Sequence, residues 1–256
     1  MAASSNRLFF LYHELRAAPS NYSYVIQRDA FEQHADLFLR ARSLGDSTLY
    51  PEITFDDGHI SNYDIALPAL AARDLIATFF LTVGWMGTRS GYMDWNQVRA
   101  LHSAGQRIGA HGWSHTLLTH CNDAALHTEL VTARLTLEDK LGAAITTLSL
   151  PGGRFDNRVL AACRAAGYQH VYTSVPHAEP PGLPFLLGRL NLHTTTTTET
   201  LTQLLDSRSG ALARLQRKDK WKSALKKTLG DRMYSKLWAA MNHQEPETDP
   251  AEAPLR

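Results

Sequence analysis

The chain has 256 residues and a formal net charge of +1, enough length for one large α/β domain or two small ones and no global charge signature for nucleic acid or a membrane. Its two cysteines, Cys121 and Cys163, are too few for a disulfide framework and lack metal-site spacing, so each reads as a small buried hydrophobe. The early apolar run "LFFLY" is too short for a signal core and no stretch approaches a membrane span, which places the chain in the cytoplasm by expectation.

Seven apolar runs follow one another along the chain: "LFFLYH", "EITF", "ATFFLTV", "QRIGAHG", "TTLSLP", "HVYTSV" and "RLNLH". Between them lie stretches of helical period with recognisable ends. Asp94 and Gln97 form a capping box ahead of Val98 and Leu101, and Gly105 closes that unit. Asn122 or Asp123 caps a longer helix with the stripe Leu126, Leu130, Ala133, Leu137 and Leu141, and Gly142 stands at its left-handed end. Asp156 precedes "NRVLAACRAAG", which stops at Gly167. Regular alternation of strand and helix implies a parallel sheet covered by helices. A barrel and an open doubly wound sheet both fit, although no glycine-rich dinucleotide fingerprint follows the first strand.

From Leu212 to Met241 nine Lys or Arg stand against two Asp, over two helices expected to break near Gly230. A solvated outer face explains this segment, with contact to an anionic membrane as the minority reading. The Pro- and acid-rich tail, 244–256, reads as disordered.

The chemistry-bearing residues share one address. His13 ends the first run, Asp56 and Asp57 the second, His111 the fourth, Pro151 the fifth and His193 the seventh. In a parallel barrel the C-terminal ends of the strands converge on one face, where active sites sit. "TFDDG" read alone fits either a solvated turn or a functional pair of acids. "HGWSH" sets His111 and His115 four apart, and Gly112 replaces the glutamate of a zinc-protease motif. Two imidazoles and one carboxylate make a three-ligand metal site with an open position. A second carboxylate beside it can take a proton from bound water, so adjacent aspartates can divide these tasks.

"TFDDG", "IGAHGWSH" and "LSLPGGRFD", in this order, resemble the polysaccharide deacetylases with a NodB-type domain, over residues 7–206. The resemblance implies a distorted (β/α)7 barrel, here a single domain with a basic helical extension at 207–243. It also implies metal-dependent hydrolysis of the N-acetyl group of an N-acetylated carbohydrate. Carried over, Asp56 is the general base; Asp57, His111 and His115 hold a divalent metal, for which zinc suits the donors best; and the Gly152 backbone N–H stabilises the oxyanion. Two histidines compete as general acid: His193 in the late "LNLH", and His13, favoured because "LYHEL" resembles the "YH" signature of an exopolysaccharide subgroup. His59 is left out, since a fourth ligand would close the site.

The chain departs from the family pattern at Ser149, where an arginine often braces the base, and in lacking an Asp-x-Trp element near "YTSV". Water or Arg154 is therefore expected to position Asp56. Trp113, Arg154 and His193 are candidate substrate-binding residues; Trp85 and Trp95 read as packing. The rival functions are a small-molecule amidase on the same fold, a catalytically impaired sugar-binding homologue, and an iron oxygenase with a facial triad.

Overall fold

The computed structural model describes residues 5–44 and 48–229, with side chains to Trp221. In chain order the strands and helices are β1 (Arg7–Tyr12), β2 (Glu14–Arg16), β3 (Val25–Gln27), α1 (Arg28–Leu44), β4 (Tyr50–Phe55), α2 (Leu67–Ala71), β5 (Ala77–Leu81) and α3 (Trp95–Ser103). There follow β6 (Arg107–Ala110), α4 (Asp123–His127), α5 (Ala133–Leu141), β7 (Thr147–Ser149), α6 (Asn157–Ala165), β8 (His170–Tyr172), β9 (Ala178–Glu179), β10 (Leu186–Leu187), β11 (Arg189–Asn191), α7 (Thr198–Leu205) and α8 (Ala211–Leu229).

All seven expected strands form. They run parallel in the order β8, β7, β6, β5, β4, β1, β11, curled nearly into a barrel with helices outside. β10 adds to the free edge of β8, and β9 lies antiparallel on β1. These two-residue strands, and the small β2–β3 ladder, are too short to show a period in the sequence. The two ends of the parallel run meet through a side chain: Arg189 on β11 donates through Nε to the carbonyl of Thr173, just past β8, at 3.1 Å.

Both faces of these strands are buried, as parallel sheets require. On one face of β1, Phe10 stacks on Phe38 and Tyr12 packs against Phe31, both from α1. On the other, Phe9 joins Phe80, Tyr172 and Leu187 in a separate apolar cluster inside the barrel. The Asp94–Gln97 capping box, the Asn122 and Asp156 caps and the left-handed Gly142 all form. The long helix expected over Leu126–Leu141 is realised as α4 and α5 joined by a π-turn at Thr128–Thr132. Cys121 and Cys163 are buried free thiols. The expected break near Gly230, the rest of the basic extension to residue 243 and the tail 244–256 lie outside the described residues. Among the described residues no helix is long and apolar enough to cross a membrane.

One core group ties the fold to pH. His34 on α1 is buried, its Nδ1 3.1 Å from the Tyr12 hydroxyl, and burial pushes its pKa down to about 4 against a backbone hydrogen bond at Thr196. The folded imidazole stays neutral where the unfolded one binds a proton. Its contribution is therefore complete above pH 6.5 and is lost as pH falls from there towards 4. Urea melts should show a loss of about 2 kcal/mol from this group between pH 7 and pH 5, and His34→Gln should remove that part of the difference.

Candidate active site

β4 delivers Asp56 to the barrel mouth on the same side as Thr54. The next residue of an extended chain would point away. Asp57 instead adopts φ +74°, a left-handed conformation uncommon for a non-glycine residue, and both carboxylates approach His111 Nε2, at 3.7 Å from Asp56 and 3.3 Å from Asp57.

The loop after β6 brings the histidines. Gly112, at φ +76°, turns the chain so that the Trp113 and Ser114 N–H groups donate to the Glu129 carboxylate, at 2.7 Å and 3.1 Å to Oε2. A Cβ on Gly112 would stand 2.6 Å from that oxygen, so a side chain there would displace the anchor. The Ser114 hydroxyl donates to Oε1 of the same carboxylate. Glu129 is buried and projects from the π-turn between α4 and α5, a helix irregularity often found at functional sites. So held, the loop ends in His115 at φ +62°.

Asp57 Oδ1 lies 3.3 Å from Nε2 of both His111 and His115, and the two rings are 5.0 Å apart. That oxygen is buried with no hydrogen-bond partner. The His111 Nδ1–H donates to the Ser149 carbonyl at 2.9 Å, which leaves Nε2 as the acceptor facing Asp57. Donor separations of 3.3 Å fit the edge of a tetrahedron with bonds of about 2.1 Å, so the three residues suit a divalent cation. His59 is not part of the cluster; its Nδ1 is 2.8 Å from the Ser61 hydroxyl and its Nε2 faces Glu14 at 3.7 Å.

Asp56 is braced by an arginine far from Ser149 in sequence, where water or Arg154 was expected. Arg189 on β11 donates from Nη1 to Oδ1 at 2.7 Å and from Nη2 to Oδ2 at 2.8 Å, a bidentate fork inside the barrel. The Ser149 hydroxyl accepts from Arg189 Nη2 at 2.7 Å and donates to Asp56 Oδ2 at 2.8 Å. Arg154 is half-buried beyond the "PGG" turn, whereas Arg189 is fully buried. Burial raises the Asp56 pKa, but Arg189 and His111 more than offset it and hold the carboxyl below its usual range. Asp57 is likewise held low against burial by the neighbouring His111, His13 and His115. His111 is raised: burial lowers it, and Asp56 and Asp57 outweigh that.

His13 follows β1 at the same mouth. Burial lowers its pKa, and Asp57 and Asp56 pull it back up, so it senses both acids. Its ring meets that of Tyr24 at 5.1 Å in a tilted contact, and Tyr24 meets His193 in the same way at 5.1 Å, so one tyrosine touches both candidate acids. The 3-10 turn Pro151–Gly153 follows β7, with Gly152 at φ +62° and Pro151 against the Gly112 position. Trp113 is half-buried against the backbone at Gly84, whose N–H donates to the Trp113 carbonyl at 2.8 Å.

Residues 48–171, from the start of β4 into β8, match a family described as polysaccharide deacetylase. The chain thus carries a match to the polysaccharide deacetylase domain over 124 of its 256 residues. The matched stretch carries both aspartates, both histidines, Ser149 and Gly152, whereas His13 and Arg189 lie outside it. A Bacillus subtilis protein, YxkH, provisionally named a polysaccharide deacetylase, is 28% identical over 126 residues, 49% of this chain and 45% of its own. A chitin deacetylase of Pestalotiopsis is 26% identical over 123 residues, 48% of this chain and 41% of its own. The match thus spans less than half the length of either relative. Among solved structures, the deacetylase PplD of Streptococcus pyogenes in complex with acetate shares the fold at TM-score 0.69 and 20% identity, covering 79% of this chain and 99% of that one. IcaB from Ammonifex degensii does so at TM-score 0.61 and 20% identity, covering 83% and 98%.

Arg189 is the residue the sequence reading missed. Its signal was an arginine in the apolar run "LLGRLNLH", since a charge inside a barrel needs a buried partner. Arg189→Met leaves Asp56 charged and unpaired and should lower stability by about 3–5 kcal/mol in denaturant melts. Adding Asp56→Leu should recover most of that loss; no recovery would mean that the pair is not coupled.

Proposed function

We propose that the protein is a metal-dependent hydrolase that removes N-acetyl groups from an amino sugar or polysaccharide. The observation that carries this reading is the meeting of Asp57, His111 and His115 at the barrel mouth beside an arginine-braced Asp56, in a chain that matches the polysaccharide deacetylase domain. The relative named chitin deacetylase supports an acetamido sugar as the substrate class.

Asp57, His111 and His115 are the residues that would hold the cation, and two imidazoles with one carboxylate suit zinc best. When bound, such an ion lowers the pKa of its water towards 7 and polarises a carbonyl oxygen. Asp56, kept ionised by Arg189 and Ser149, takes the proton from the attacking water. The Gly152 N–H donates to the carbonyl oxygen as negative charge develops on it, a contact whose loss costs about 3 kcal/mol in comparable sites. His13 gives a proton to the sugar nitrogen as the C–N bond breaks, yielding acetate and a free amine. His13 is preferred over His193 because both carboxylates act on its ring.

Purified protein should release acetate from N-acetylated amino-sugar oligomers, lose that activity to a chelator and regain it with a divalent ion. His13→Gln should lower kcat by about 10²–10⁴-fold, with His193→Gln within a few-fold of wild type. The opposite ranking would transfer the acid role to His193. Absence of acetate release from any acylated amino sugar by metal-loaded protein would overturn the reading.

A further inference from the structure

Helix α8 has two unlike faces. Leu212 and Leu215 pack on the core, and the Gln216 amide donates to the Pro176 carbonyl at 3.2 Å, which ties this face to the barrel. On the opposite face Arg214, Arg217, Lys218 and Trp221 follow one another at i, i+3, i+4 and i+7, all exposed. Arg214 also donates to the Ser209 carbonyl at 3.1 Å, near the start of the helix. Solvation accounts for a row of basic side chains. It does not account for Trp221, which is 70% exposed at the end of that row and is the most exposed large hydrophobic residue among those described. The helix continues to Leu229 through Lys222, Lys226 and Lys227, so positive charge persists beyond it.

We propose that this face of α8 docks the protein on an anionic phospholipid surface, with the basic row meeting lipid headgroups and Trp221 entering the interfacial layer. Fixed positive charge is attracted to acidic headgroups and is screened by salt. An indole with an apolar body and a polar N–H is suited to the boundary between headgroup and chain. The helix is too polar to span or to bury a broad apolar face, so the contact is peripheral and reversible. This inference does not depend on the deacetylase reading.

The test is co-sedimentation of the full chain with vesicles of phosphatidylcholine alone and of phosphatidylcholine with phosphatidylserine, at low and high salt. Binding should require phosphatidylserine and fall steeply with salt. Each basic residue near the surface contributes about fivefold to the partition coefficient, so reversing Arg214, Arg217 and Lys218 to Glu should lower it by at least about 100-fold, the repulsion of the new carboxylates adding to the lost attraction. Trp221→Ala should weaken binding while leaving its salt dependence in place. Thermal melts and activity on a soluble substrate should stay at wild-type values in both variants, which separates lost docking from lost folding. Equal binding to neutral vesicles, unchanged binding after charge reversal, or tighter binding to single-stranded RNA than to the acidic vesicles would each overturn the proposal.

Discussion

The site depends on a charge pair buried inside the barrel. Arg189 and Asp56 are both cut off from water, where an isolated charge costs several kcal/mol, so the loss of either leaves the other at a heavy cost. Their pairing settles more than local stability. It orients the Asp56 carboxylate, keeps it ionised, and through Nε links β11 to the end of β8. Ser149 extends the arrangement, since its hydroxyl joins the pair and its carbonyl fixes the tautomer of His111. The proposed base and one proposed metal ligand are thereby set by a single network, and a change in one side chain is felt at both.

Strain supplies the rest of the geometry. Asp57 and His115 both have positive φ, and each is held by a neighbour that fixes its backbone. The Asp57 carbonyl accepts from the Thr82 N–H at 3.3 Å, and Glu129 anchors the loop that leads into His115. Left-handed conformations at non-glycine residues cost of order 1–3 kcal/mol each and persist only where the surroundings over-determine them. Here that cost allows two sequential aspartates to serve one pocket, which regular strand geometry forbids.

The barrel was legible in the sequence because its seven main strands are continuous apolar runs that end in polar residues. Helix caps such as Asp94 with Gln97, and the left-handed Gly142, were legible because their chemistry is local. The sequence also placed Asp56, Asp57, His111 and His115 at one mouth. Two supports stayed hidden, each for its own physical reason. Arg189 reaches Asp56 across 133 residues, so searching near Ser149 led to Arg154 instead. Glu129 is offered to the His115 loop by a π-turn, and nothing in a helical period announces where a helix will widen. Tyr24, in ring contact with both His13 and His193, sits in the turn before β3, where there is no period to read.

The central claim is that two adjacent acids do separate jobs, Asp57 holding the cation and Asp56 handling the proton. Calorimetric titration of zinc into metal-free Asp56→Asn and Asp57→Asn, with acetate release measured on the same preparations, tests it most directly. The account predicts that Asp56→Asn binds one equivalent with affinity near wild type yet releases no acetate, while Asp57→Asn loses most of the affinity. Strong zinc binding by Asp57→Asn, or full turnover by Asp56→Asn, would contradict it.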